Sequence, residues 1–197
     1  MTDTTDLALN PLLRDQIDWH WTHAVRPRHD GLTDDEYFWE PAPGAWNVRP
    51  RGTGTAPIQA GAGAMTIDFE MPEPEPAPFT TIAWRLGHVV VGVLGTRNAA
   101  HFGRAPVEYE SFDYAGTAAG ALGQLDAEYA TWLAGVDSLG DAGLARPCGP
   151  AEGPWAEAPL AGLVLHIHRE LIHHLAEVCL LRDLYLHTHR PTRSGDS

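Results

Sequence analysis

The chain of 197 residues contains no lysine; all thirteen of its basic residues are arginine. Against 26 acidic residues this leaves a formal charge of −13. Such a balance repels phosphate backbones and excludes nucleic acid as an expected partner. The charges are spread along the chain, which suits a solvated surface better than an acidic docking patch. Cysteine is nearly absent too. Cys148 sits in a Pro/Gly loop and Cys179 in an apolar helix, a pattern that excludes a disulfide framework and a zinc knuckle and leads us to expect a reducing cytoplasm. No run approaches the ~20 apolar residues of a membrane span, so no membrane association is expected. The acidic, polar opening MTDTTDLALN does not read as a secretory leader. No Cys/His or Ser/His/Asp arrangement convinces as a protein-supplied nucleophile. The missing lysines, with abundant Ala, Gly, Arg, Asp and Pro, fit a GC-rich coding bias of the kind common among actinobacteria.

What is present is mostly helical patterning. Residues 10–26 place Leu9, Leu13, Ile17 and Ala24 on one stripe, and Pro27 ends or kinks that helix. A capping box, Thr33-x-x-Glu36, predicts a short helix carrying Tyr37, Phe38 and Trp39. Residues 41–79 are the least helical part. Within them Met65, Ile67, Phe69 and Met71 alternate with polar residues, the period of a strand, so a small hairpin or an extended lid is expected there. A second long helix is predicted from Thr80 or Thr81 to about Phe102. A third spans roughly 117–138 on Leu122, Leu125, Tyr129, Leu133 and Val136. A fourth runs from Pro159, placed at N1, to about Tyr185. Four long amphipathic segments with irregular connections argue for an all-α fold, one four-helix bundle over residues 10–186, with flexible termini at 1–9 and 187–197.

The fourth helix, LVLHIHRELIHHLAEVCLL, carries the chemistry. Its apolar seam steps through Leu163 and Ile167 to Val178 and Leu181, and the two positions in the middle are Glu170 and His174. An unpaired buried carboxylate costs several kcal/mol, roughly, so these two need a partner. One turn apart, both can converge on one ion. On the second helix, His88 has Gly92 and Gly95 on its own face, glycines that cost helix stability and would make room beside the histidine; Trp84, one turn earlier, would wall the same space. His88 alone reads more readily as a core or rim histidine than as a ligand, and the Glu170/His174 pair alone equally as a buried hydrogen bond or an exposed pair. Jointly they point to a metal. His166 and His173 are alternative ligands, ranked lower because they lie off the seam; His20 and His23 read as packing or rim residues. Arg85, three before His88, is a candidate for binding an anionic thiol or carboxylate at the cavity mouth, against a competing reading as a solvent-facing charge. Tyr37 and Trp46 are candidates for the entrance or for core caps. Cys148 reads as an inert loop cysteine and Cys179 as a small hydrophobe.

The helix order, the isolated histidine in RLGHV, the His-rich fourth helix and the PGAWNVR stretch at 43–49 resemble the DinB-like superfamily over most of residues 10–186. On this resemblance residues 50–78 are a subfamily insertion. Many members use three histidines. Glutamate at the position of Glu170 resembles the branch containing mycothiol-dependent maleylpyruvate isomerase, whose metal is held by two histidines and a glutamate. That correspondence implies His88, Glu170 and His174 as ligands. Three protein ligands leave an open coordination position, as in catalytic zinc sites; nickel or iron suits the same donors. The implied activity is transfer of a small thiol, mycothiol in an actinobacterium, to an electrophilic small molecule, or its isomerisation. The nucleophile would be a metal-bound thiol or water. A non-catalytic metal- or ligand-binding stress-response bundle and a structural bundle with a vestigial site are the rival readings. Many relatives are dimeric, so a homodimer is expected, although no interface is legible.

Overall fold

A computed structural model describes residues 8–189 of the chain. The first helix, α1 (Leu9–His20), continues without a break through a π-helical stretch (Trp21–Val25) and a 3-10 turn (Arg26–His29). Pro27 therefore tightens the helix into its last turn rather than ending it at 26. The π stretch also shifts the helical phase, so Val25, not Ala24, is the buried residue that follows Leu13 and Ile17. The short helix α2 (Asp34–Phe38) starts as its sequence requires: Thr33 Oγ1 accepts from Glu36 N, and Glu36 Oε2 accepts from Thr33 N.

The all-α expectation needs correcting here. The chain is mainly helical but holds a small antiparallel sheet, β1 (Val48–Pro50), β2 (Ile58–Ala60) and β3 (Met65–Phe69), in the order β1-β3-β2. The expected hairpin is β2–β3, with Ala60 opposite Ile67. The third strand lies on its far side, Val48 opposite Ile67, and begins before the 50–78 segment. Three-residue strands are too short to show a period of two, which is why only β3 was legible. Its polar residues are not solvent-facing either: Thr66 and Asp68 are buried along with Ile67.

The second long helical segment comprises α3 (Ile82–His88), a π-helical stretch (Val89–Gly95) and α4 (Thr96–His101). Thr81 caps it, accepting from Trp84 N at 3.2 Å. The PGAWNVR stretch secures this start. Trp46 exchanges backbone hydrogen bonds with Phe79 and Thr81, and Asn47 Oδ1 accepts from Thr81 Oγ1 at 2.8 Å. Thr117 caps α5 (Ala118–Leu144), whose regular run stops at Gly140 (φ 58°, ψ 177°), close to the expected end at 138, with one further turn reaching Leu144. In α6 (Leu160–Thr188) Pro159 is the N-cap rather than N1, and the helix passes Tyr185. Of the termini expected to be flexible, Leu9, His187 and Thr188 are helical; residues 1–7 and 190–197 lie outside the described residues. The four long segments share one apolar core, where Trp132, Leu125, Leu86, Ile167, Leu171 and Leu175 are fully buried.

No helix among the described residues is long and apolar enough to cross a membrane.

Two histidines are buried in this core. His168 of α6 has neither ring nitrogen partnered among the described residues, and burial pushes its imidazole down to about 4. His29 is held down to about 4 by burial and then by Arg26, Arg182 and Arg28, with Asp126 opposing. The unfolded chain binds these protons near pH 6.5 and the folded chain only near 4. Stability is therefore full above 6.5 and is lost as the pH falls from 6.5 to 4, by up to about 3 kcal/mol per histidine. Urea unfolding should show a lower midpoint at pH 5 than at pH 7, and His168→Phe should shrink that difference. An equal difference in the variant would show that His168 is not kept neutral by the fold.

Candidate metal centre

The site forms where α3 faces the middle of α6. Trp84 sets the first wall. Its indole N–H donates to Asp68 O of β3 at 2.8 Å, and its ring stacks on His88, one turn later, at 5.3 Å and 13°. Phe69 packs edge-on against Trp84 and against Tyr109, while Trp46 lies against both Trp84 and Phe69. The sheet thus delivers an aromatic shell to one side of His88. Burial, followed by the neighbouring His174, lowers the His88 imidazole to about 4, against an opposing pull from Glu170. It is a neutral ring at physiological pH.

His88 Nδ1 lies 2.7 Å from the Tyr109 hydroxyl. Tyr109 comes from the loop between α4 and α5, and burial raises its phenol to about 12. Gly92 makes the contact fit: a Cβ there would collide with the Tyr109 hydroxyl and stand 3.2 Å from His88 Nδ1. Gly95, by contrast, clears Val90 O and Val107 and does nothing for the histidine.

On α6, His174 stands edge-on to His88, with ring centroids 4.8 Å apart. Its Nε2 is 3.5 Å from Glu170 Oε2, and its Nδ1 is 3.1 Å from Glu177 Oε2. Glu177 is also bound by Arg85. Arg85 does not face solvent: its side chain is 16% exposed, and burial lowers its pKa although Glu177 opposes this. Its guanidinium comes within 3.5 Å of His174 Nδ1. Burial lowers His174 as well, against the hydrogen bond that Glu177 accepts from it. The other oxygen of Glu170, Oε1, is 3.4 Å from His166 Nδ1 and 3.5 Å from Arg169.

Two sets of donors therefore overlap at His174. His173, His174 and Glu177 each offer an atom within 4.8 Å of the others, so this His/His/Glu cluster is able to hold a metal ion. His88 and Glu170 each neighbour His174, the first at 4.8 Å between ring centroids and the second at 3.5 Å from Oε2 to Nε2, but His88, Glu170 and His174 do not gather one ligand atom each within 4.8 Å as His173, His174 and Glu177 do. Of the remaining candidates, Tyr37 is a core residue and not an entrance: it is buried, and its hydroxyl donates to Ala115 O at 3.3 Å. His23 stacks on exposed Trp19 far along the chain in α1's extension. Tyr109, Phe69 and Glu177 were not anticipated. Glu177 could have been, because it lies three residues after His174 on the same face; Tyr109, in a loop with no periodicity, gave no such signal.

A family model described as DinB superfamily matches residues 59–178, more than half of the chain. The chain belongs to the DinB superfamily. No curated protein and no solved structure gives a significant match. The matched DinB region runs from β2 through most of α6, and so contains every residue of both donor sets.

Because Gly92 and Tyr109 compete for one space, Gly92→Ala should destabilise the protein by about 1–3 kcal/mol through overpacking. In a Tyr109→Phe background, which removes the colliding oxygen, the same substitution should cost less. A double-mutant cycle in urea reads the coupling; strict additivity would mean that Gly92 is not there for the hydroxyl.

Proposed function

We propose that this chain is a divalent-metal-dependent enzyme of the DinB superfamily that activates a small thiol for transfer to, or isomerisation of, an electrophilic small molecule. The ligands we assign are His88 Nε2, Glu170 Oε2 and His174 Nε2. Metal binding is frequent in the superfamily, and the donor chemistry here fits a divalent ion. The observation that carries the assignment is that the opposite polar edge of each side chain is already engaged. Tyr109 is at His88 Nδ1, Glu177 at His174 Nδ1, and His166 with Arg169 at Glu170 Oε1. Such outer partners are what orient metal-binding histidines and carboxylates.

A divalent ion at this position would lower the pKa of a thiol or water in its open position and supply a nucleophile at neutral pH. The chain's own residues prepare the place. With Nδ1–H donated to the Tyr109 oxygen, His88 keeps its lone pair on Nε2. Glu177 fixes the tautomer of His174 in the same way. Trp84 and Phe69 keep water off one side of the ring pair. Arg85 adds a fixed positive charge beside His174, where an anionic thiol or carboxylate would gain most from it. Two imidazoles and one carboxylate suit zinc, and also nickel or iron. Mycothiol is the cosubstrate we assign in an actinobacterial source.

Metal content of untagged protein tests the ligands. Wild type and His173→Ala should carry stoichiometric metal, while His88→Ala and Glu170→Ala lose it. Retention by both of the latter, with loss in His173→Ala, would move the site to His173, His174 and Glu177. Tyr109→Phe should weaken metal affinity by roughly 10–100-fold in a chelator competition. Activity is tested by thiol consumption with mycothiol, bacillithiol or glutathione and a panel of electrophiles. A metal-loaded protein that consumes none of them would be a non-catalytic metal-binding member of the superfamily.

A further inference from the structure

Beside the candidate centre lies a cavity of about 490 Å³, between the N-terminal turns of α6, α4 and the 147–158 loop. That volume suits a small organic ligand. Leu163 and Cys148 supply buried apolar wall, Trp155 stands at the cavity and is 72% exposed, and Gly162 leaves open space where a side chain would project. Two arginines, Arg97 and Arg169, also line it.

Among the described arginines that have a carboxylate within 4 Å, these two are the most loosely paired. Arg14, Arg26, Arg28, Arg49, Arg85, Arg104 and Arg182 each have a carboxylate oxygen at 3.0 Å or closer. For Arg97 and Arg169 the closest carboxylate is at 3.5 Å, from Glu152 and Glu170 respectively. Arg97 Nε is buried with no hydrogen-bond partner among the described residues. Glu152, the one carboxylate lining the cavity, is drawn to His101 Nε2 at 3.0 Å. Arg97 Nη1 donates to Gly92 O and Thr96 Oγ1 at 3.0 and 2.9 Å, and Arg169 Nη2 lies 2.5 Å from His166 Nδ1, but all of these partners are neutral. In a chain of net charge −13, two guanidiniums without a close carboxylate on one largely apolar cavity select for an anion.

We propose that this cavity binds an organic carboxylate, its charge held by Arg97 and Arg169 and its apolar body against Leu163 and Trp155. His166 and Arg169 line the cavity and also contact Glu170, so a ligand seated here abuts the candidate metal centre. Its service as the substrate end of the active site rests on the function proposed above; the binding itself does not.

The test is a titration of the full ¹⁵N-labelled chain with benzoate and with its neutral counterpart benzamide, following the amides of Cys148, Ala158 and Gly162 by NMR. Benzoate should shift these amides saturably and bind about tenfold more tightly than benzamide, the worth of one charge-assisted pair. Arg169→Gln removes an exposed side chain and should abolish that preference. Gly162→Leu, at an exposed helical position where no atom lies within 4 Å of a new Cβ, should fill the cavity and block both ligands. Equal binding of the two ligands, shifts confined to other residues, or an unchanged preference in Arg169→Gln would overturn the proposal. The benzoate response should persist in His88→Ala. Metal retained by that variant would refute the ligand assignment and leave this site standing, whereas a metal-loaded wild type indifferent to benzoate would do the reverse.

Discussion

The arrangement around the candidate centre depends on how one buried imidazole is held. His88 is desolvated enough to stay neutral, and a buried neutral histidine must still satisfy two unlike nitrogens. Tyr109 takes Nδ1 at 2.7 Å, Trp84 covers one ring face, and His174 stands across from it. With Nδ1 taken and one face covered, the ring is left beside His174 of α6, 4.8 Å away between centroids. The glycine at 92 and the π-helical stretch from Val89 to Gly95 follow from the same constraint. The helix has to open beside His88 to let a tyrosine from a remote loop reach it. A π-helical stretch next to a functional side chain is a recurrent way of doing this.

The sheet has its purpose in the same place. Asp68 accepts the Arg49 guanidinium at 2.9 Å and the Asn47 amide at 3.1 Å through one carboxylate oxygen, while its main-chain oxygen receives the Trp84 indole. Asn47 also reaches Phe38 O and the Thr81 hydroxyl. A single buried polar knot therefore joins α2, the sheet and the cap of α3. Each member is hydrogen-bonded to another, which is what lets so many polar groups lie away from water, although Asp68 Oδ1 has no partner among the described residues. The segment that looks least ordered by composition, rich in proline and glycine, is the one that fixes the ring on which His88 stacks.

Much of this could be read in advance wherever a local rule acts alone. The Thr33/Glu36 box, the start of the second long helix at Thr81 and the strand Met65–Phe69 each follow from a few adjacent residues. Glu170 and His174 were expected in the middle of the apolar seam, but the buried seam runs through Ile167, Leu171, Leu175 and Val178, and the pair lies at its edge, 28% and 14% exposed. What could not be read depends on contacts distant in sequence. The π stretches shift helical phase without any marker residue, and Trp132 was missed although it lies on the α5 stripe and is fully buried against Phe102 and His168. Tyr109 lies 21 residues from the ring it holds, in a loop. Tyr37, read as a candidate for the entrance, faces the core because its hydroxyl finds a carbonyl at Ala115.

The two overlapping donor sets can be weighed through Arg85. Its guanidinium is largely withdrawn from water, and the carboxylate it has found is Glu177. Were Glu177 to ligate a metal with His173 and His174, Arg85 would lose its counter-charge and face a new dication. Leaving a buried charge unpaired in this way costs about 3–5 kcal/mol. Two other facts point in the same direction: His173 is 62% exposed, and its ligand set would draw on a single helix face open to solvent. With Glu177 left to Arg85, its other role is to accept from His174 Nδ1, and the imidazole's remaining nitrogen turns toward Glu170 and His88. In this reading the arginine acts on the metal only through the glutamate, by keeping that carboxylate out of the ligand set. The charge that the sequence offered only as a candidate for the cavity mouth would then help decide which residues bind the ion.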